Sequence, residues 1–140
     1  LSVDPGKTTG YVVWRDGDRT VEKELYCEAF CDVADELIST QQIDVVVCER
    51  FIVTAQTGKY TQAPWSLEQI GLLRHLCRKH QVKFVLQNVS DAKSFATDSR
   101  LNEIGWKRPQ GAGHARDAQR HLLVYLVRNN LFDLGFLQTM

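Results

Sequence analysis

Leu1-Ser2-Val3-Asp4-Pro5-Gly6-Lys7-Thr8-Thr9-Gly10-Tyr11-Val12-Val13-Trp14 opens the chain, and its reading decides what kind of sheet the protein builds. Leu1 to Val3 is a short apolar run that passes straight into turn formers, so a strand ends tightly at Asp4. Tyr11 to Trp14 is β-branched and aromatic, Asp16-Gly17 is a strong two-residue hairpin signal, and Thr20 to Cys27 alternates as a return strand. Gly6-Lys7-Thr8 invites a P-loop reading. Leu1, however, stands where that motif has its first glycine, and a hairpin pattern follows, so no helix N-terminus is available to cradle phosphate.

Outward from this start, Phe30, Val33, Ala34, Leu37 and Ile38 recur at helical spacing with acidic residues opposite them, which predicts a short amphipathic helix. Ile43 to Cys48 is a near-continuous apolar run, the pattern of a strand buried on both faces, and it ends in Glu49. Phe51 to Pro64 reads as a polar, irregular loop. Pro64 and Trp65 open a long helix to about His80, striped by Ile70, Leu72, Leu73, Leu76 and Cys77. Val82 to Leu86 is another strand, Ser90 begins a short helix capped by Ser90 or Asn88, and Leu101 to Ile104 forms a further one. Pro109 to Gly113 breaks the chain before a last helix from His114 to about Asn129. The order implies an α/β fold: a mixed five-stranded sheet, three strands in an antiparallel meander and the others parallel, with helices on both faces.

Its 140 residues fit one domain, 1–140, able to bury a core without staples. No apolar run reaches the roughly 18 residues of a membrane span. Cys27, Cys31, Cys48 and Cys77 match no zinc spacing, so they read as reduced thiols of a cytoplasmic protein. Leu1 in place of Met implies a natural start a few residues upstream. The net charge of zero hides an asymmetry: residues 1–50 hold eleven acidic and five basic side chains, residues 51–140 six and twelve. A basic face for nucleic acid is compatible with that balance, as is a scatter of solvated charges.

Three acidic residues stand where a buried sheet has least use for them: Asp4 ending the first strand, Glu49 ending the fourth, and Asp117 in the first turn of the last helix. A carboxylate at the end of a central strand lies beside the crevice where α/β sheets bind ligands, and its charge is costly to desolvate without a cation. His114 and Asp117 are three apart and share a helix face. Each has a plain alternative: a turn at Asp4, a surface charge at Glu49, a helix-dipole role for Asp117. All three alternatives at once, with His114 in register, is a poorer account than a metal site. Two divalent ions carry four positive charges, and three ionised carboxylates with one phosphate carry about four negative ones, the balance of a two-metal hydrolase. Oxygen-rich ligation favours Mg²⁺, and the imidazole admits Mn²⁺. His121, one turn beyond Asp117, lies on the same face, where it either supports the ligands or, the favoured reading, is a satisfied helical histidine.

Val3-Asp4-Pro5-Gly6 with Thr9-Gly10, Val47-Cys48-Glu49, and His114-Ala115-Arg116-Asp117-Ala118 resemble, in order and spacing, the motifs of the RuvC Holliday junction resolvases of the RNase H-like superfamily, in a compact, phage-like form. The resemblance implies a homodimer through helix 64–80, working in the host cytoplasm if phage-encoded. It also implies cleavage of four-way junctions with two Mg²⁺ ions held by Asp4, Glu49, His114 and Asp117, leaving 5′-phosphate ends. Lys93 falls where the family places a basic residue facing the cleaved strand, and Arg100, Lys107, Arg108 and Arg116 are candidates for phosphate contacts, which position DNA without reading sequence. The family's stacking aromatic lies three residues after the Glu, where this chain has Ile52, so Phe51 and Tyr60 are the stacking candidates. Competing readings are an actin-like sugar kinase, which requires two such domains, a catalytically inactive module that binds branched DNA, and a superfamily nuclease acting on RNA–DNA hybrid.

Overall fold

The hairpin forms as its turn residues dictate. In the computed structural model, which describes residues 1–54 and 63–132, β1 (Ser2–Asp4), β2 (Thr8–Arg15) and β3 (Asp18–Tyr26) run antiparallel in sequence. Asp16 and Gly17 carry φ of 51° and 80°, the paired left-handed residues of a type I′ turn, whose twist suits the flanking strands. The return strand therefore starts at Asp18, earlier than the alternation indicates. Cys27 leaves it to open helix α1 (Cys27–Ser39).

β4 (Val45–Glu49) pairs parallel to β1, and β5 (Lys83–Gln87) parallel to β4, giving the order β3-β2-β1-β4-β5. Helix α2 (Ala63–His80) crosses between β4 and β5. After β5 come α3 (Val89–Phe95), α4 (Asp98–Glu103) and α5 (His114–Arg128). The short helix expected from Leu101 begins three residues sooner, because Thr97 caps it by accepting the Arg100 N–H at 3.2 Å. Asn88 occupies the cap position of α3, but its side chain makes no capping bond.

Strand alternation divides the core in two. Val3, Tyr11, Val13, Val46 and Cys48 face α1 and α2, packing with Phe30, Ile38, Leu73 and Leu76. Val12 faces the other side, where Leu101, Trp106, Leu122, Leu123 and Leu126 form a second cluster under α3, α4 and α5. Helix α5 is the centre of that layer and touches β1, β2, β3 and β4. Ser2 ties it to the central strand, donating to the Ala118 carbonyl at 2.6 Å.

One position controls how closely α5 can approach. A Cβ built on Gly10 of β2 would lie 2.0 Å from the His114 carbonyl carbon and 2.3 Å from the Ala115 nitrogen. Both are backbone atoms, so the helix itself must retreat to admit a methyl group. Gly10→Ala is expected to lower stability by about 1–3 kcal/mol, as for an overpacked core, measured by urea denaturation. An unchanged midpoint would show that α5 is not seated on this strand.

Candidate active site

The β1–β4 register determines the geometry. Ser2 pairs with Val47 and Val3 with Cys48, so the next pair along the ladder brings Asp4 beside Glu49 at the carboxyl ends of two parallel strands. Both project towards α5, on the opposite side from Val3 and Cys48. Each carboxyl group acts on the other's affinity for a proton. Asp4 lies deepest, with 8% of its side chain exposed, against 19% for Glu49, 34% for Asp117 and 39% for His114. The crevice is thus floored by Asp4 and rimmed by the α5 residues.

Burial pushes the Asp4 carboxyl up to about 8; the His114 hydrogen bond opposes this, and Glu49 and Asp117 reinforce it. Burial also works to raise Glu49, but hydrogen bonds with His121 and Asp4, and the charges of His121 and Lys93, outweigh it and hold Glu49 below its ordinary value. The pair accordingly holds a proton more tightly than an isolated carboxyl group does. His114 Nδ1 stands 3.1 Å from Asp4 Oδ2, and that contact raises the imidazole's affinity for its proton against the effect of burial.

Three further residues hold this arrangement, and of these the sequence places only His121 on the face of the candidate ligands. His121, fully buried, has Nε2 3.1 Å from Glu49 Oε1 and Nδ1 3.1 Å from Gln87 Oε1. Gln87 pairs in register with Glu49 across β4 and β5. The histidine is therefore satisfied, as expected of a helical histidine, and its partner is Glu49. Arg120 fixes Asp117, its Nε 3.2 Å from Asp117 Oδ1, while Nη1 donates to the Ala96 carbonyl at 2.6 Å and Nη2 pairs with Asp98 at 2.8 Å.

On the other side of the sheet, α2 braces the loop that follows Asp4. Gln69 Oε1 accepts from the Gly6 N–H at 3.0 Å, its Nε2 donates to Thr9 Oγ1 at 2.6 Å, and Thr9 Oγ1 donates to the Gly6 carbonyl at 3.0 Å. Ser66 Oγ adds a bond to the Pro5 carbonyl at 3.1 Å.

Of the sequence-derived ligand set, His114 meets Asp4 at 3.1 Å and Glu49 follows Asp4 along the strand register, while Asp117 is bonded to Arg120. Among the described residues no three His, Cys, Asp or Glu side chains already enclose a single point as a metal cage. Their donor chemistry nevertheless fits a cation: the charges of Glu49 and Asp117 both bear on buried Asp4 and raise its affinity for a proton.

No protein-family model matches the sequence, and no curated protein sequence is significantly similar to it. In three dimensions the likeness is extensive. RuvC of T. thermophilus in complex with a Holliday junction substrate matches with a TM-score of 0.65 and 12% identity, over 93% of this chain and 94% of that one. The chain has the RuvC fold. A second Thermus thermophilus RuvC structure matches with a TM-score of 0.62 and 12% identity, over 93% and 95% of the two chains.

On the RuvC fold the candidate DNA contacts separate. Lys93, Lys107 and Arg108 are exposed. Arg100 is half-buried, its guanidinium 4.7 Å above the Phe95 ring and donating to the Phe95 carbonyl at 2.9 Å. Arg116 is not available to DNA. It is 2% exposed, and its guanidinium is engaged by Asp98 at 3.0 Å, the Trp106 carbonyl at 2.6 Å, Gln119 at 2.9 Å and Asn102 at 2.9 Å. Phe51 packs partly buried against the α1–α2 cluster, so its ring serves the core, while Ile52 beside it is 60% exposed. Tyr60 lies outside the described residues.

Two measurements check this account. The folded state takes up protons at Asp4 and His114 that the unfolded chain releases, so their contribution to stability is lost as pH rises from about 4 towards about 8. The metal-free protein should lose thermal stability across that range relative to Asp4→Asn; parallel profiles would contradict the tightly held proton. Arg116→Ala should cost about 1–3 kcal/mol of folding stability, because it leaves the buried Trp106 carbonyl and Gln119 without their donor. A soluble, equally stable Arg116→Ala with weakened DNA binding would restore it as a DNA contact.

Proposed function

We propose that this protein is a structure-selective DNA endonuclease that cuts four-way junctions and other branched DNA by metal-dependent phosphodiester hydrolysis, leaving 5′-phosphate ends. The observation that carries the reading is the in-register pair Asp4 and Glu49 at the ends of adjacent parallel strands, with His114 of α5 against Asp4, at one end of a RuvC-fold sheet. The similar T. thermophilus RuvC, whose structure holds a Holliday junction substrate, supports branched DNA as the ligand.

Asp4, Glu49, Asp117 and His114 would hold two Mg²⁺ ions, for which Mn²⁺ can substitute. When bound, the ions supply Lewis acidity at the phosphate and a lowered pKa for attacking water. Asp4, the deepest, would help to hold both ions, and Glu49 and Asp117 would help to hold one each. His121 and Gln87 keep Glu49 turned into the crevice, and Arg120 does the same for Asp117 at the rim. Lys93, Lys107 and Arg108, with Arg100 in support, would hold the phosphates of the strand to be cut.

A homodimer through α2 completes the reading, since a junction has two strands to cut. The outer side of that helix leaves Leu67, Gly71, Arg74 and Arg78 exposed.

The test is cleavage of a synthetic four-way junction, a flap, a plain duplex and an RNA–DNA hybrid in Mg²⁺ or Mn²⁺. The junction should be cut in preference to duplex and hybrid. Asp4→Asn and Asp117→Asn should each lose about a thousandfold in rate, equivalent to about 4 kcal/mol of transition-state stabilisation. Preference for the hybrid, or full activity in either variant, would overturn the proposal; junction binding without Mn²⁺ uptake or cleavage would leave a binding module instead.

A further inference from the structure

Helix α5 must start at a defined point for His114 and Asp117 to meet the strand carboxylates, yet it has no cap of its own. Its N-cap is Gly113, with φ of 103° and no side chain to accept an N–H. The first amides are satisfied from elsewhere. The carboxylate of Glu24, on β3, accepts from Ala112 N–H at 2.9 Å through Oε1, and from Gly113, His114 and Ala115 N–H at 3.1, 2.7 and 3.2 Å through Oε2. Four convergent donors on one carboxylate are strong, charge-assisted bonds, and they place a negative charge at the positive end of the helix.

The sheet register explains why this residue reaches. Asp4 pairs with Gly10, and Gly10 pairs with Glu24, so the three form one row across β1, β2 and β3. Gly10 leaves the gap in the middle of the row, and the first turn of α5 drops into it. His114 is then held from both sides, its imidazole 3.1 Å from Asp4 and its N–H 2.7 Å from Glu24. The preceding loop is shaped to the same purpose. Gly111 has φ of 121°, and a Cβ there would lie 2.4 Å from Glu24 Oε1.

We infer that Glu24 is a positioning residue, clamping the N-terminus of α5 so that His114 and Asp117 stand over Asp4 at the distance metal binding and cleavage require. The inference rests on the cleavage activity proposed above. Glu24 touches neither the substrate nor the reacting atoms; it acts through the α5 backbone. It also fills the anion position that a bare helix N-terminus would offer, leaving substrate phosphate to the carboxylate crevice.

The experiment compares the unsubstituted chain with Glu24→Ala, Glu24→Gln and, as a control on the same strand, the exposed Asp18→Asn. For each, Mn²⁺ affinity without DNA, kcat and KM on a four-way junction, the folded fraction by circular dichroism, and amide hydrogen exchange at residues 112–115 are measured. Glu24→Ala, while folded, should lose about 10- to 100-fold in Mn²⁺ affinity and in kcat, the usual effect of removing a residue that orients metal ligands. Its KM should change by less than about threefold, because DNA contacts elsewhere are intact. Exchange at 112–115 should accelerate. Glu24→Gln keeps an acceptor oxygen and should fall between the two. A folded Glu24→Ala with the parent's Mn²⁺ affinity and kcat, or the same losses in Asp18→Asn, would overturn the inference. If the unsubstituted chain neither binds Mn²⁺ nor cuts DNA, the proposed function has failed; unchanged exchange at 112–115 in Glu24→Ala would then overturn the clamp separately.

Discussion

Two carboxyl groups at the ends of neighbouring parallel strands repel when both are charged and are costly to bury when either is. The register of β1 on β4 forces that encounter between Asp4 and Glu49, and much of the molecule around it manages the consequence. His114 and His121 approach from one helix, one to each carboxyl group. Gln87 fixes the second histidine from the next strand, and Arg120 holds Asp117 nearby. Electrostatic cost of this kind persists in a fold when a ligand of opposite sign relieves it, and marks the site more plainly than the shape of any pocket.

The fold was largely legible because its signals are local. The β4 run Val45 to Cys48 has no plausible destination except a strand buried on both faces, and the Asp16-Gly17 turn fixes the hairpin by its positive φ values alone. Asp4 and Glu49 stood out as candidates for a different reason: acidic residues ending buried strands violate the expected polarity pattern, and His114 and Asp117 share one face of the last helix. That the fold is shared at 12% identity with T. thermophilus RuvC, with no sequence-level match, shows how little of it is tied to particular side chains.

What escaped the sequence depends on contacts between distant segments. Glu24 sits among alternating charges on an edge strand and looks like any of them until α5 is placed 90 residues later. Arg116 has the same composition signal as Arg108, yet one is buried in a hydrogen-bonded socket and the other is exposed. Gln69 and Ser66 carry no signal in the sequence that sets them apart from other polar residues of α2, yet they brace the loop after Asp4. Nothing in composition or periodicity separates these cases, because the partner that decides each one is set by topology.

The row Asp4, Gly10 and Glu24 is complete as soon as the first 26 residues pair, but the helix that occupies it comes last, and the Asp4–His114 contact closes a separation of 110 residues. Contacts of such long range form late and slowly. During synthesis the sheet can therefore assemble and shelter its core while the crevice still lacks one wall. A chain that has emerged only as far as β5 has Asp4, Glu49 and the waiting clamp, but neither His114 nor Asp117. The order of residues along the chain thus also orders assembly in time: the crevice gains its remaining wall only when α5 has been made.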